Sequence, residues 1–203
     1  MKKQNYENEL PEGYKQVLHI DAKDAKTGII MNVVSLLILG IVLAVAYIPL
    51  KLNNVDILLN FPAKDSTEFS IAMLLFCIVL FAYIVMHELV HGIAYKCLTG
   101  EKLTFGISWS CAFCGVPHIY SYRKTAIISS AAPLVLFSSI FGATTVLLYF
   151  VSPIYYLLSA ILFGLHLGGC SGDMYIILML LRYSNPKVLM RDTGPEQFIY
   201  IPN

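Results

Sequence analysis

Charged side chains are scarce in this chain of 203 residues. Asp, Glu, Lys and Arg make up only 13% of it, whereas 57% of the residues are hydrophobic and the mean hydropathy is +0.69. An average soluble domain carries about twice that share of charge. The scarcity excludes an ordinary soluble domain and indicates a membrane protein. The net charge is only +1, so nothing in the charge balance suggests a nucleic-acid partner.

Several other features are absent. The chain has no Gly/Ser-rich linker, internal repeat or low-complexity tract, and its length allows one compact domain without a large soluble module. The first 26 residues are polar, so we expect no secretory signal there. The first apolar run is too long for the core of such a signal and is typical of a retained anchor.

The apolar residues fall into four runs, each long enough to cross a bilayer as a helix. The four predicted spans are residues 27–50, 69–97, 125–151 and 154–181. Pro133 predicts a kink in the third span. A glycine-rich interruption at 168–173 breaks the fourth, and at membrane depth it is tolerated only where protein or a polar cavity covers it.

A different pattern lies between the second and third spans. At residues 103–110, Leu, Ile and aromatic side chains alternate with Thr, Gly and Ser, which predicts a strand. Gly115-Val116-Pro117 is typical of a turn, and a returning strand can begin at residues 119–120. We therefore expect a small β-hairpin at 102–122, near the cytoplasmic face. Short strands are also possible at 14–20 and 197–201.

The predicted fold class is an all-α polytopic membrane protein with about four transmembrane helices and this one hairpin. Its membrane-embedded domain covers residues 27–181, between an N-terminal tail at 1–26 and a C-terminal tail at 182–203.

The distribution of basic residues predicts the orientation. With four spans, and with Lys96 near the end of the second span assigned to the same face, 12 of the 14 Lys and Arg residues lie on the side that holds both termini and the 98–124 loop. The other side holds only Lys51 and Lys64. The positive-inside rule therefore predicts a multi-pass protein of the cell membrane with both termini in the cytoplasm.

The second span contains the motif His87-Glu88-Leu89-Val90-His91. Its two histidines lie one helical turn apart on one face, where both can bind one zinc ion, and Glu88 can act as a general base. The preceding residues 69–86 carry no charge, and ionisable groups at membrane depth are costly and usually functional. The alternative is a chance motif whose polar groups find partners between helices.

A catalytic zinc ion usually has three protein ligands, so a third ligand is needed. His87 and His91 lie 18 and 22 residues after Phe69, and Asp173 lies 20 residues after Pro153, where the fourth span enters from the same side. At 1.5 Å per residue the three groups share a depth of ~27–33 Å, whereas His166 is ~10 Å too shallow. This favours Asp173, although the same Gly-Asp pair could simply cap a new half-helix.

Two further histidines have possible roles. His118, on the predicted hairpin, can donate a hydrogen bond to a developing oxyanion, or it can be a surface histidine in a turn. His166 is better explained as an interhelical histidine whose hydrogen bonds are satisfied, or as a hydrogen-bond partner of the residues that bind the metal.

Cysteine gives little evidence for a second site. Among the five cysteines, Cys111 and Cys114 form a C-x-x-C that can resemble a zinc or redox motif. A single such pair is weak evidence, and small apolar packing explains it as well.

Together, the His87-Glu88-x-x-His91 motif at the cytoplasmic end of a span, the hairpin after it and Gly172-Asp173 late in another span resemble the site-2 protease type of intramembrane zinc peptidase. The chain is more closely similar to a bacterial family of zincin-type membrane peptidases over roughly residues 30–180. The resemblance implies His87, His91 and Asp173 as zinc ligands and Glu88 as the base. One difference is local: site-2 proteases usually carry Asn-Pro-Asp-Gly or Leu-Asp-Gly where this chain has Ser171-Gly172-Asp173-Met174.

The expected function is that of an intramembrane zinc metalloendopeptidase, with Zn²⁺ as cofactor, a membrane protein or peptide as substrate and the bilayer as partner. Glu88 and His118 are the expected catalytic residues, acting on a zinc-activated water near the cytoplasmic leaflet. Two alternatives are a non-catalytic zinc-binding membrane protein and a metal-dependent membrane lipid hydrolase. A di-iron lipid oxidase is disfavoured because the five histidines form only one paired motif. The oligomeric state is left open.

Overall fold

A computed structural model of the chain describes residues 5–55, 66–107 and 112–203, which form five helices and seven short strands. The helices are α1 (Ala25–Leu52), α2 (Ser66–Thr99), α3 (Arg123–Tyr149), α4 (Pro153–Gly169) and α5 (Ser171–Arg182). The strands are β1 (Tyr6–Glu7), β2 (Tyr14–Asp21), β3 (Thr104–Ile107), β4 (Ala112–Gly115), β5 (Tyr120–Tyr122), β6 (Leu189–Asp192) and β7 (Glu196–Pro202). The protein is mostly helical, but its strands go beyond the single hairpin expected of an all-α chain.

The helices begin and end within three residues of the predicted spans. α1, α2 and α3 are each long and apolar enough to cross a membrane, and α4 with α5 makes a fourth candidate if the pair, interrupted at Cys170, is one span. Only 6% of the most apolar stretch of α1, 6% of that of α2 and 11% of that of α3 is buried inside the protein. Helices with so much exposed apolar surface need an apolar surrounding, and they are compatible with a multi-pass membrane protein.

Local interactions define the ends of α1 and α2. Before α1, the Asp24 carboxylate accepts hydrogen bonds from the Thr27 N–H (2.9 Å) and hydroxyl (3.0 Å), as an N-cap does. The Thr27 N–H holds the pKa of Asp24 below its usual value. Gly100 follows α2 with a φ of +77°, a left-handed conformation that favours glycine, and its N–H donates to the Lys96 carbonyl (2.9 Å).

The chain divides into two compact units. The first unit comprises residues 1–31, 84–133 and 172–203, and it contains a five-stranded antiparallel sheet in the order β1-β5-β6-β7-β2. The two short tail strands predicted at 14–20 and 197–201 are confirmed as β2 and β7, which pair with each other. Apolar residues of the sheet, α3 and α5 form its core, including Ala126, Ile176, Leu180, Val188, Met190 and Ile199.

The predicted hairpin is also present in the first unit, with a different second strand. β3 pairs with β4, so that Thr104 lies opposite Gly115 and Ile107 opposite Ala112; residues 108–111 lie outside the described part. The predicted turn at 115–117 and the return at 119–120 were wrong for this hairpin, because β5 pairs with β1 and β6 instead. Gly115 is needed for close packing: a Cβ there would lie 2.4 Å from the Gly194 backbone nitrogen.

The second unit comprises residues 32–83 and 134–171 and is helical where described. Its helices approach closely at glycine: a Cβ on Gly168 would lie 2.4 Å from the Ser35 hydroxyl and 2.8 Å from the Ser35 carbonyl oxygen. The Tyr156 hydroxyl donates to the Ala46 carbonyl (2.9 Å), within a core that these two residues share with Leu50 and Ala160. Small residues and interhelical hydrogen bonds of this kind are typical of helix packing in membranes.

Candidate metal centre

The histidine pair of the H-E-x-x-H motif lies on one face of α2, in the first unit. The His87 and His91 rings are 4.9 Å apart between centroids and meet edge to face, and both residues are buried, with 9% and 8% exposure. This arrangement follows from the i, i+4 spacing, which places both side chains on the same side of a regular helix.

Asp173, in the first turn of α5, meets both histidines. Its Oδ2 lies 3.4 Å from His87 Nε2, and its Oδ1 lies 3.3 Å from His91 Nε2. One ligand atom from each of the three residues lies within 4.8 Å of the others. The structure thus brings together the three residues predicted as metal ligands.

The spacing of these three groups fits a bound zinc ion. Ligands around one tetrahedral zinc at ~2.0–2.1 Å lie roughly 3.3 Å from each other. The two measured distances match that value, and they are longer than the ~2.7–2.9 Å of a charge-assisted hydrogen bond. Two imidazole nitrogens and one carboxylate oxygen are also a ligand set that catalytic zinc sites use. His87, His91 and Asp173 can therefore hold a zinc ion and leave a fourth position open.

A main-chain carbonyl orients the His91 ring. His91 Nδ1 lies 2.8 Å from the Ser129 carbonyl oxygen of α3, and this contact is buried. A carbonyl only accepts hydrogen bonds, so Nδ1 carries the proton and Nε2, on the Asp173 side, is left as a lone-pair donor. The sequence analysis did not find this partner, because a backbone acceptor has no side-chain signature.

Glu88 lies between the histidines in sequence and is half-buried. The main-chain N–H of Cys114, in β4, faces its carboxylate. The hairpin comes close at the next turn of α2, where a Cβ on Gly92 would lie 2.8 Å from the Phe105 ring and 3.1 Å from Cys114 Sγ. Gly92 therefore allows β3 and β4 to pack directly beside the motif.

A second buried acid, Asp192, contacts α2 one turn after the motif. Tyr95, one turn after His91, donates its hydroxyl proton to Asp192 Oδ2 (2.9 Å), and the Gly194 N–H donates to Asp192 Oδ1 (2.8 Å). Burial raises the pKa of Asp192 to about 6. The Asp192 carbonyl also accepts the Val116 N–H (2.9 Å), so this residue connects α2, the segment after β4 and the C-terminal sheet.

His118 lies apart from these groups. It is exposed on the turn after β4, and among the described residues it makes no hydrogen bond or ion pair. Its catalytic role stays a prediction.

The C-x-x-C pair is only half described, since Cys111 lies outside the described residues. Cys114 is buried in β4, and burial raises the pKa of its thiol to about 12. A thiol with such a pKa is a poor nucleophile at neutral pH, which favours the packing interpretation for Cys114.

His166 lies in α4, in the second unit. It is fully buried; its Nδ1 lies 2.9 Å from the Tyr83 hydroxyl and its Nε2 lies 3.0 Å from the Ser138 hydroxyl. The rings of Tyr83, Phe137 and Phe141 surround it edge to face. The interpretation of His166 as an interhelical histidine with satisfied hydrogen bonds is confirmed.

Comparison with known proteins agrees with this donor set. No curated protein and no solved structure matches the chain. A family model described as "Putative zincin peptidase" matches residues 80–187, which is 108 of the 203 residues and includes the motif, the hairpin and Asp173. Zincin-type peptidases are zinc enzymes, in keeping with the two histidines and one carboxylate found here. The chain therefore belongs to this zincin peptidase family.

Proposed function

We propose that the protein is an intramembrane zinc metalloendopeptidase that hydrolyses peptide bonds of membrane-associated substrates near the cytoplasmic leaflet. The observation that carries the proposal is the set of two buried imidazoles and one partly buried carboxylate at 3.3–3.4 Å, with a glutamate next to the first histidine. A closed structural zinc site would need no such glutamate.

A zinc ion held by His87, His91 and Asp173 would lower the pKa of a water molecule and polarise the scissile carbonyl. Glu88 accepts the proton from the attacking water and later delivers it to the nitrogen of the leaving amine. The Cys114 N–H faces the Glu88 carboxylate and can orient it during both transfers. His118 is our candidate donor to the oxyanion, a role that requires its exposed turn to approach the scissile carbonyl.

The hairpin supports a peptide as the substrate. Among the described strands β3 pairs only with β4, so its other edge can add a strand. The contact between Gly92 and Phe105 places β3 beside the motif. An extended substrate segment on that edge would have its carbonyls exposed for attack, which a helical segment would not.

The setting of the reaction is part of the proposal. The apolar helices and the excess of Lys and Arg on one side support a cell-membrane protein with four spans, both termini in the cytoplasm and the metal centre near the inner leaflet. Water then has a short path to the site.

The test compares the wild type with Glu88→Gln, both purified in detergent, against a panel of single-span membrane substrates. We expect about one zinc per chain in both proteins. Cleavage should fall by roughly 10²- to 10⁴-fold in the variant, because a general base contributes about that much. Glu12→Gln, which removes an exposed glutamate, is the matched control and should cleave like the wild type.

Two outcomes would reject the proposal. Equal cleavage by Glu88→Gln would show that another group is the base. Hydrolysis of ester or amide lipids, but of no peptide, by the wild type would favour the lipid hydrolase instead.

A further inference from the structure

The buried carbonyl of Ser129 is free to bind His91 for a reason visible in the sequence. In an α-helix the carbonyl of residue 129 accepts the N–H of residue 133. Residue 133 is proline, inside the continuous helix α3, and proline has no N–H. The Ser129 carbonyl therefore lacks its normal helical donor, and His91 Nδ1 lies 2.8 Å from it.

We propose that Pro133 is a positioning residue of the metal centre: it keeps the Ser129 carbonyl available to His91. This inference rests on the proposed function, because it concerns one of the three zinc ligands. A fully buried proline in a helix is otherwise costly, since it removes a hydrogen bond and its ring clashes with the carbonyl four residues earlier.

The hydrogen bond has a chemical consequence at the other ring nitrogen. With Nδ1–H donated to a carbonyl, the neutral ring is held as the tautomer whose lone pair is on Nε2. His91 Nε2 is the atom 3.3 Å from Asp173, where the ion would bind. An acceptor behind a ligating histidine fixes both the tautomer and the ring orientation, and removing such a partner typically weakens metal binding by about 10- to 100-fold.

The chain contains its own control. Pro49 also lies inside a helix, α1, and leaves the carbonyl of Val45 without its helical N–H. Among the described residues no side chain donates a hydrogen bond to the Val45 carbonyl. Pro49 and Pro133 thus share the effect on the helix, but only Pro133 leaves a carbonyl that contacts a candidate ligand.

The experiment measures zinc affinity by competition with a chromophoric chelator for wild type, Pro133→Ala, Pro133→Val and Pro49→Ala. Alanine and valine both restore the N–H at 133. Alanine is smaller than proline and valine is larger, so a packing defect specific to one variant is separated from the effect of the N–H that both share. We expect both Pro133 variants to bind zinc on the order of 10- to 100-fold more weakly, and Pro49→Ala to bind like the wild type.

A second readout separates positioning from a loss of structure. At least one of the two metal-free Pro133 variants should unfold at the same temperature as wild type or higher, because the helical hydrogen bond returns and the two substitutions change the buried volume in opposite directions. In ¹⁵N-histidine spectra, the slowly exchanging Nδ1–H of His91 should be present in wild type and exchange faster in the variants.

Zinc affinity and an Nδ1–H signal unchanged in both Pro133 variants would overturn the inference. An equal loss of affinity in Pro49→Ala would also overturn it, because helix geometry alone would then be the cause. Wild type that binds no zinc would instead overturn the proposed function.

Discussion

Each of the two units contains buried histidines, and the groups that face their imidazole nitrogens differ. In the second unit, His166 has a hydroxyl 2.9 Å from one nitrogen and another 3.0 Å from the second, and aromatic rings surround it. In the first unit, His87 and His91 face a shared carboxylate at 3.4 and 3.3 Å, beyond good hydrogen-bond distance. Both nitrogens of His166 face hydroxyls at hydrogen-bond distance, whereas the Nε2 atoms of His87 and His91 and the Asp173 oxygens have the spacing of ligands around one ion.

Removing the Asp173 carboxylate is expected to have the largest effect on zinc binding. Asp173→Ala removes the carboxylate that both imidazoles share and should abolish stoichiometric zinc binding, because two histidines alone give a weak site. His166→Gln should keep about one zinc per chain while losing roughly 1–3 kcal/mol of stability, since the Tyr83 hydroxyl and the half-buried Ser138 hydroxyl both lose their hydrogen bond to the imidazole. Metal analysis of the folded fractions and chemical denaturation measure the two quantities. Zinc retained by the Asp173 variant and lost by the His166 variant would reverse the comparison.

A third buried group, Asp192, is expected to show a smaller effect. Asp192 lies in the same unit as the metal centre, but two donors already satisfy its oxygens, as hydroxyls satisfy His166. Asp192→Asn should therefore keep zinc.

The same variant should change how stability depends on pH. Burial raises the pKa of Asp192 from 3.8 to about 6, so the folded state binds the proton more tightly than the unfolded chain does. The stability from this proton is fully present below about pH 4 and is lost as the pH rises to about 6. Relative to wild type, metal-free Asp192→Asn should gain roughly 3 kcal/mol across that window. Denaturation of the metal-free proteins at pH 4 to 7 tests this, and a constant difference would contradict the assigned cause.

The parts of the fold that follow from local pattern were predictable. Long charge-free runs located the helices, and the break at Cys170 falls within the glycine-rich interruption. The i, i+4 spacing predicted the His87 and His91 pair, and residue counts from the membrane surface pointed to Asp173, which lies 3.3–3.4 Å from both histidines.

The parts that depend on distant contacts were not predictable. Gly115 is a residue type common in turns, yet it ends β4. The backbone at Gly194, 79 residues later, lies directly against it. The two-residue strand β1 and three-residue strand β5 are too short to show any period in sequence. The Ser129 carbonyl carries no side-chain signal, and only a proline four residues later marks it as available.

X-ray absorption at the zinc edge, measured on the purified wild-type protein, tests most directly whether His87, His91 and Asp173 bind the ion. We expect two imidazole nitrogens and at least one oxygen at ~2.0–2.1 Å from the zinc ion, with the oxygen and imidazole contributions reduced or lost in Asp173→Ala. A sulfur contribution at ~2.3 Å, or fewer than two imidazoles, would show that the ion is held by other groups and would contradict the account.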